Sequence, residues 1–383
     1  MRLALAGDAV LGRGVAQELV KRPPRSLVAA EIAELMRTAD LCVVNLECCI
    51  SERGEPVQKA FNFRAPPQAV ETLVHLGVDC VTLANNHALD YGIDALLDTF
   101  AHLRQAGIRW AGAGENIEQG RAPVVLEGLP IVAFCDHEAG FAAGPDRPGI
   151  AYADIRGGPP DWLLESAPGA LVCPHWGPNM TPAPLPYVRA AARRLCDAGP
   201  ALVAGTSAHV FHGVEGRVLY DLGDFIDDYA VDPRLRNDHG LLFLVELEPD
   251  GPRRVEAVPI RLEYAHTRLA RGDEADWIRR RFRKACWALG TEAREENGHL
   301  VVTKHEDGRA AARAMHGSRS APPGAPLRIE PPPSETGGRG GSPNPRPGDD
   351  KIRPGGSVRS GRLERKRIRR DEDPEATSLY RLG

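Results

Sequence analysis

Asp, Glu, Asn and His residues recur along this chain, each a step beyond a short apolar run. Asp8 follows Arg2–Ala6, and Asn45 and Glu47 follow Leu41–Val44. Asn85, Asn86 and His87 follow Cys80–Leu83, with Asp90 three residues on. Asp136 and His137 follow Ile131–Phe134, His175 follows Leu171–Cys173, and His209 and His212 follow Leu202–Ala204. Carboxylate, amide and imidazole groups together suit divalent ions such as Mn, Fe, Zn or Mg. Two such ions about 3.5–4 Å apart generate a hydroxide and clamp a phosphoryl group. A bridging carboxylate fits that spacing, and an imidazole left uncoordinated can protonate a leaving group.

Positioning these groups requires a sheet whose strand ends share one edge. The apolar runs read as strands and the stretches between them as helices: Glu31–Thr38, Pro67–Leu76, Asp94–Gln105 and Val188–Asp197. This early β-α-β-α-β rhythm predicts an α/β architecture with strands buried on both faces. Ligands of open α/β sheets bind outside the carboxyl ends of the strands. Later runs at Arg217–Tyr220, Leu241–Glu246 and Val255–Ile260 come with fewer helices and predict a second, mixed sheet packed on the first.

Singly, each residue has a plainer reading. Asp8 after a strand reads as a helix N-cap. Asn85 and Asn86 read as turn residues. Asp136, His137 and His212 divide evenly between site and scaffold. The recurrence of one set of residue types at successive strand ends favours a site.

Composition bounds the rest. The chain has 383 residues, 42% hydrophobic and 26% charged, with a net charge of −4, so nothing points to a specific nucleic-acid partner. No stretch approaches the ~18 apolar residues of a membrane helix. The first apolar run, Leu3–Ala6, is too short for a signal peptide, which predicts no transmembrane segment and a cytoplasmic location. Eight cysteines, several inside apolar runs and none in a CxxC pair, read as buried thiols. From Gly317 to Gly356, 19 of 40 residues are Gly or Pro. Such a segment buries too little apolar surface to offset its ordering entropy. The predicted division is therefore a folded domain over 1–304 and a disordered Gly/Pro/Arg-rich tail over 305–383, with a basic cluster at Arg362–Arg370.

The segments GDAVLGRG, VNLE, FNFRAP, TLANNHALDYG, WAGAGEN, CPHWGPNM and GTSAHVFHGVE occur in that order. This series resembles the CapA-type family of poly-γ-glutamate synthesis proteins over roughly residues 2–260, and YDLGDFIDDY with NDHGLL resembles a subset of it. The family is similar to calcineurin-like metallophosphoesterases. The resemblance implies an α/β sandwich of two mixed β-sheets flanked by helices, holding one or two divalent ions. It implies Asp8, Glu47, Asn86, His175 and His209 as metal ligands, with Glu47 bridging, and His87 as proton donor. Arg13, Asn45, Asn85, Asp90 and His212 fall to supporting or substrate-contacting places. The implied activity is metal-dependent, phosphoesterase-like hydrolysis of a phosphorylated or polyanionic substrate, a small anionic or polyglutamate-like molecule, against a non-catalytic accessory role in polyglutamate or capsule assembly. One departure stands out. The family commonly reads Gly-His-x-x-His where this chain has Gly205-Thr206-Ser207-Ala208-His209, so a hydroxyl replaces an imidazole and one ion is expected to be held more weakly.

Overall fold

The computed structural model describes residues 1–303; the predicted tail lies outside the described residues. Two mixed sheets dominate. In the ten-stranded sheet, Arg2–Ala9 is central and runs parallel to Leu41–Leu46, followed by Cys80–Thr82 and Arg109–Ala111. On its other side Arg2–Ala9 pairs antiparallel with His239–Glu248, which forms a long hairpin with Gly251–Glu263. The six-stranded sheet has a parallel centre of Leu129–Cys135, Leu171–His175, Leu202–Ala204 and Val218–Leu219, with antiparallel strands at both edges.

Strand alternation explains how the sheets stack. In the six-stranded sheet, Ile131, Ala133, Cys135, Leu171, Cys173, Leu202 and Ala204 join the core shared with the larger sheet. Their neighbours Val132, Phe134, Val172 and Val203 point the other way, onto the helices Asp161–Ser166 and Pro186–Asp197. A strand buried on both faces must be apolar at every position, which is why these runs show no polar alternation. The expected sandwich of two mixed sheets flanked by helices is the fold observed, but Leu241–Glu246 and Val255–Ile260, expected in the second sheet, extend the sheet of Arg2–Ala9 instead, because the hairpin they form pairs directly with that first strand.

Several boundaries shift in ways that matter for the site. The first strand runs on to Ala9, so Asp8 is a strand residue and not a helix cap; the next helix, Arg13–Lys21, begins after Gly12. Asn45 and His175 likewise lie within the last residues of their strands. The predicted helix over Pro67–Leu76 is a 3₁₀ turn followed by Val70–Leu76. The helices Arg13–Lys21 and Asp273–Ala288 and the strand Asp224–Ile226 are further elements of the structure. Among the described residues all eight cysteines are free thiols, and no helix is long and apolar enough to cross a membrane.

Candidate metal centre

The carboxyl ends of the central strands meet where the first strand crosses the loop before Asp224–Ile226. Gly7 makes that crossing possible: a Cβ there would lie 1.8 Å from the carbonyl oxygen of Gly223. The Asp8 N–H donates to that same carbonyl at 3.0 Å, and Asp8 pairs with Asp224 in parallel register. Two carboxylates nearly the whole domain apart in sequence are thus brought side by side.

Around them Asp8, Glu47 and His209 each offer one ligand atom, and these atoms lie within 4.8 Å of one another. His209 Nδ1 stands 2.8 Å from Asp224 Oδ1, 3.3 Å from Asp8 Oδ2 and 3.9 Å from Glu47 Oε2. His175 Nε2 lies 3.6 Å from Glu47 Oε1 and 3.0 Å from Asn86 Oδ1. Across Glu47, His87 Nε2 lies 4.0 Å from Oε1, while His87 Nδ1 contacts Asp90 Oδ2 at 2.5 Å. All five predicted ligands, Asp8, Glu47, Asn86, His175 and His209, therefore reach one centre, with His87 beside it.

The supporting residues form a chain of hydrogen bonds. Asn45 Nδ2 donates to Asp8 Oδ1 at 2.7 Å, and its Oδ1 accepts from Thr82 and Asn85. Asn85 in turn accepts from the His87 N–H, fixing the turn that carries Asn86 and His87. Asp90 accepts from the Phe63 N–H and pairs with Lys59, whose Nζ also donates to the Asn86 carbonyl. The Phe63 ring lies against the His87 ring, with centroids 3.9 Å apart. Arg13, outside this cluster, pairs with Asp228 and lies over Phe61 and Phe63. Ser207 and His209 adopt φ of +112° and +58°. Such backbone typically costs about 1–3 kcal/mol and persists only where the surroundings impose it. Here it turns the Ser207 N–H toward Asp8 and the Ala208 N–H onto Asp221.

One expectation changes. His212 is not brought to the centre: its Nε2 bonds the Thr181 carbonyl at 2.8 Å. Thr206 keeps a role, its hydroxyl lying 2.9 Å from His175 Nδ1. Asp136 and His137 sit at the rim. Asp136 accepts from the Gly177 N–H and the Tyr187 hydroxyl and contacts His137 Nδ1 at 2.6 Å, and the His137 ring lies 5.2 Å from that of His175. Asp224, Asp221 and Lys59 are residues that the sequence reading did not single out. YDLGDFIDDY was in view as a motif, but nothing in its spacing says that its second Asp pairs with the first strand.

The electrostatics of the centre are compatible with a bound divalent cation. Burial, then the neighbouring Asp8, raises the Glu47 carboxyl well above the usual range. Burial raises Asp224 as well, against the pull of His209. For His209, burial opposes charge, but Asp224 and Glu47 outweigh it and hold the imidazole well above its ordinary value. Burial pushes His175 well below it, helped by His137 and His209. Both oxygens of Glu47 are buried without a hydrogen-bond partner. A buried carboxylate with no donor is costly, and a coordinated cation is the group that would satisfy it. The donor set, carboxylate, amide and imidazole, fits a divalent transition ion.

A site of this kind on a two-sheet sandwich defines a metallophosphoesterase-like protein. The chain belongs to the family described as "Bacterial capsule synthesis protein PGA_cap", whose model matches residues 2–229. It is 34% identical over 277 residues to a "Probable polyglutamine synthesis accessory protein" of Mycobacterium tuberculosis, covering 65% of this chain and 73% of that one. It is 25% identical to the "Capsule biosynthesis protein CapA" of Bacillus anthracis, covering 69% and 68%. The "PGA biosynthesis protein CapA" of Bacillus subtilis is also 25% identical, covering 68% and 72%.

Proposed function

We propose that this chain is a divalent-metal-dependent, phosphoesterase-like hydrolase acting on a phosphorylated or polyanionic substrate in capsule or polyglutamate metabolism. The observation that carries it is Glu47, a buried carboxylate with no hydrogen-bond donor, ringed by Asp8, His175 and His209. Asp8, Glu47, Asn86, His175 and His209 are the residues proposed to hold the ion or ions, with Asp224 beside them. A bound divalent ion supplies Lewis acidity and a water that loses its proton near neutral pH.

The chain's own residues do the rest. Asn45 holds Asp8, and Thr206 holds His175, so that neither turns away. His87 carries its working proton at Nε2, since Nδ1 is tied to Asp90. Burial lowers its pKa to about 4 against the help of Asp90, so the resting imidazole is neutral and Nε2 must take up a proton within the reaction, as from the attacking water, before passing it to a leaving group. Lys59, Asn86 and His137 are less buried than the floor of the centre. Lys59 is paired with Asp90 and Glu138, and His137 with Asp136, so an anionic substrate would compete with these carboxylates for them. A cavity of about 740 Å³ elsewhere, lined by Pro24, Pro67 and Val74, holds no such cluster and takes no part.

A second reading, an accessory protein that binds without turnover, is favoured by the names of the relatives and by Thr206 in the place of an imidazole. Metal analysis after dialysis, with hydrolysis of p-nitrophenyl phosphate in added manganese, separates the two. Tight metal with turnover lost in Glu47→Gln supports the hydrolase. Tight metal with no turnover on mono- or diester substrates leaves the accessory reading, and no metal retention overturns both the metal centre and the hydrolase.

A further inference from the structure

A second cavity, of about 370 Å³, lies on the outer side of the segment that carries His209. Its walls are of two kinds. Pro182, Pro184 and Leu289 are apolar, and Arg189, Arg281 and Lys284 are basic. Arg189 is neutralised by Glu215, with Nη2 at 3.1 Å from Oε1. Arg281 and Lys284 form no ion pair among the described residues. The Arg281 guanidinium lies over the rings of Phe211 and Trp277, at 5.1 and 5.6 Å, and donates only to the Phe211 carbonyl, at 3.4 Å. The Nε atoms of Arg189 and Arg281 are buried without an acceptor. This wall therefore holds more donors than the chain supplies acceptors, and a surplus of positive charge.

A solvated surface cation needs no partner. Arg281 is different: it is partly buried, lies over two aromatic rings, and has a buried Nε with no acceptor. The guanidinium plane matches carboxylate and phosphate oxygens, and the volume falls within the usual range of small-molecule sites.

We propose that this cavity binds an organic anion, one acidic head on an apolar stem, separately from the carboxylate-lined centre. The head, carboxylate or phosphate, meets Arg281 and Lys284, and the stem lies along Pro182, Pro184 and Leu289. The pocket also touches the centre's own support. Gly213 forms part of its wall and packs so tightly on the helix Asp273–Ala288 that a Cβ there would lie 2.5 Å from the backbone of Ala285. Gly213 is four residues from His209, on the same segment.

The test is calorimetric titration of the full chain with octanoate, octyl phosphate, and inorganic phosphate as the stemless control. Binding of either stemmed anion, with inorganic phosphate much weaker, is expected; which of the two binds tighter identifies the head. Lys284→Gln removes one charge-assisted contact at an exposed position and is expected to weaken binding about tenfold. Ala288→Trp fills the cavity from its exposed edge and is expected to abolish binding. Asp8→Asn, in the other centre, is expected to leave it unchanged. No binding of either stemmed anion below 10 mM overturns the proposal. So does equal binding of inorganic phosphate, binding that survives both cavity variants, or loss of binding with Asp8→Asn.

Discussion

Replacing Glu47 with Gln should stabilise the metal-free protein and remove its response to metal. In the metal-free chain Glu47 is fully buried, both oxygens lack a donor, and its ligand atom lies within 4.8 Å of that of Asp8. With both ionised, two unit charges at that distance would repel by roughly 3–4 kcal/mol at an effective dielectric of 20, and the raised Glu47 carboxyl relieves part of this by holding its proton. The imidazolium of His209, 3.9 Å from Glu47, offsets much of this. A net gain of about 1–2 kcal/mol on neutralising Glu47 is a reasonable order of magnitude. For a domain of this size that raises the melting temperature by about 2–5 °C. Wild-type protein at a metal concentration a hundredfold above Kd should gain about 2.7 kcal/mol, and Glu47→Gln should lose most of that gain. Calorimetric melts in chelator and in manganese or zinc, for both proteins, read both signs. A variant that melts lower than wild type in chelator, yet still gains from metal, would refute the reasoning: Glu47 would then be a satisfied structural carboxylate.

Thr206→His is expected to raise the metal retained after dialysis, and the turnover with it; retention that does not change in a folded variant would show that position 206 is not limiting. His87→Ala is expected to lower phosphoesterase turnover by about 10²–10⁴-fold with metal content intact, whereas loss of the metal would make His87 a ligand. Burial holds His212 at a pKa of about 4, below its unfolded value, so its contribution to stability is complete above about pH 6.5 and is lost as pH falls toward 4. That loss is worth roughly 3 kcal/mol, and His212→Gln should flatten the acid limb of denaturant-derived stability against pH; an unchanged limb counts against it. Truncation after Thr303 is expected to leave the melting temperature within about 2 °C of the full chain, as the Gly/Pro density beyond it suggests; a broadened, lowered melt would show that the domain needs those residues.

Much of the centre was legible because parallel strands buried on both faces announce themselves as unbroken apolar runs. Leu41–Val44, Ile131–Phe134 and Leu202–Ala204 needed no structure to be found, and the polar residue at each end then stood out. Boundaries were less legible. Asp8, Asn45 and His175 are inside their strands, since a strand end facing a ligand site does not need to be apolar. Helix Arg13–Lys21 was missed because Gly12 offers no side-chain cap to signal its start. In Asp273–Ala288 the buried stripe of Ile278, Phe282 and Cys286 is diluted by five Arg and Lys. Asp224 is the instructive miss. Its place beside Asp8 depends on a pairing across 216 positions and on Gly7, whose missing Cβ lets the first strand pass against the Gly223 carbonyl. No local pattern contains that information.

The same long-range view changes what Thr206 means. Read along the chain, it is an imidazole lost. Read in space, the nearest neighbour of each Nδ1 differs in kind: the Thr206 hydroxyl at 2.9 Å for His175, with Asn45 at 3.4 Å, and the Asp224 carboxylate at 2.8 Å for His209, with Asp8 at 3.3 Å. A carboxylate can only accept, so it keeps a proton on His209 Nδ1. A hydroxyl both donates and accepts. With His175 Nε2 donating to Asn86 Oδ1, Thr206 donates to Nδ1; with Nε2 stripped of its proton, Nδ1 donates to Thr206 instead. Thr206 can thus serve either state of Nδ1, which an Ala or Val at position 206 could not. Once Nε2 has no proton, it faces Asn86 Oδ1 and Glu47 Oε1 as one acceptor among others, and a cation is the group that would satisfy it. His209, locked by Asp224, has no such freedom, so a cation approaching its Nδ1 must first displace the Asp224 hydrogen bond.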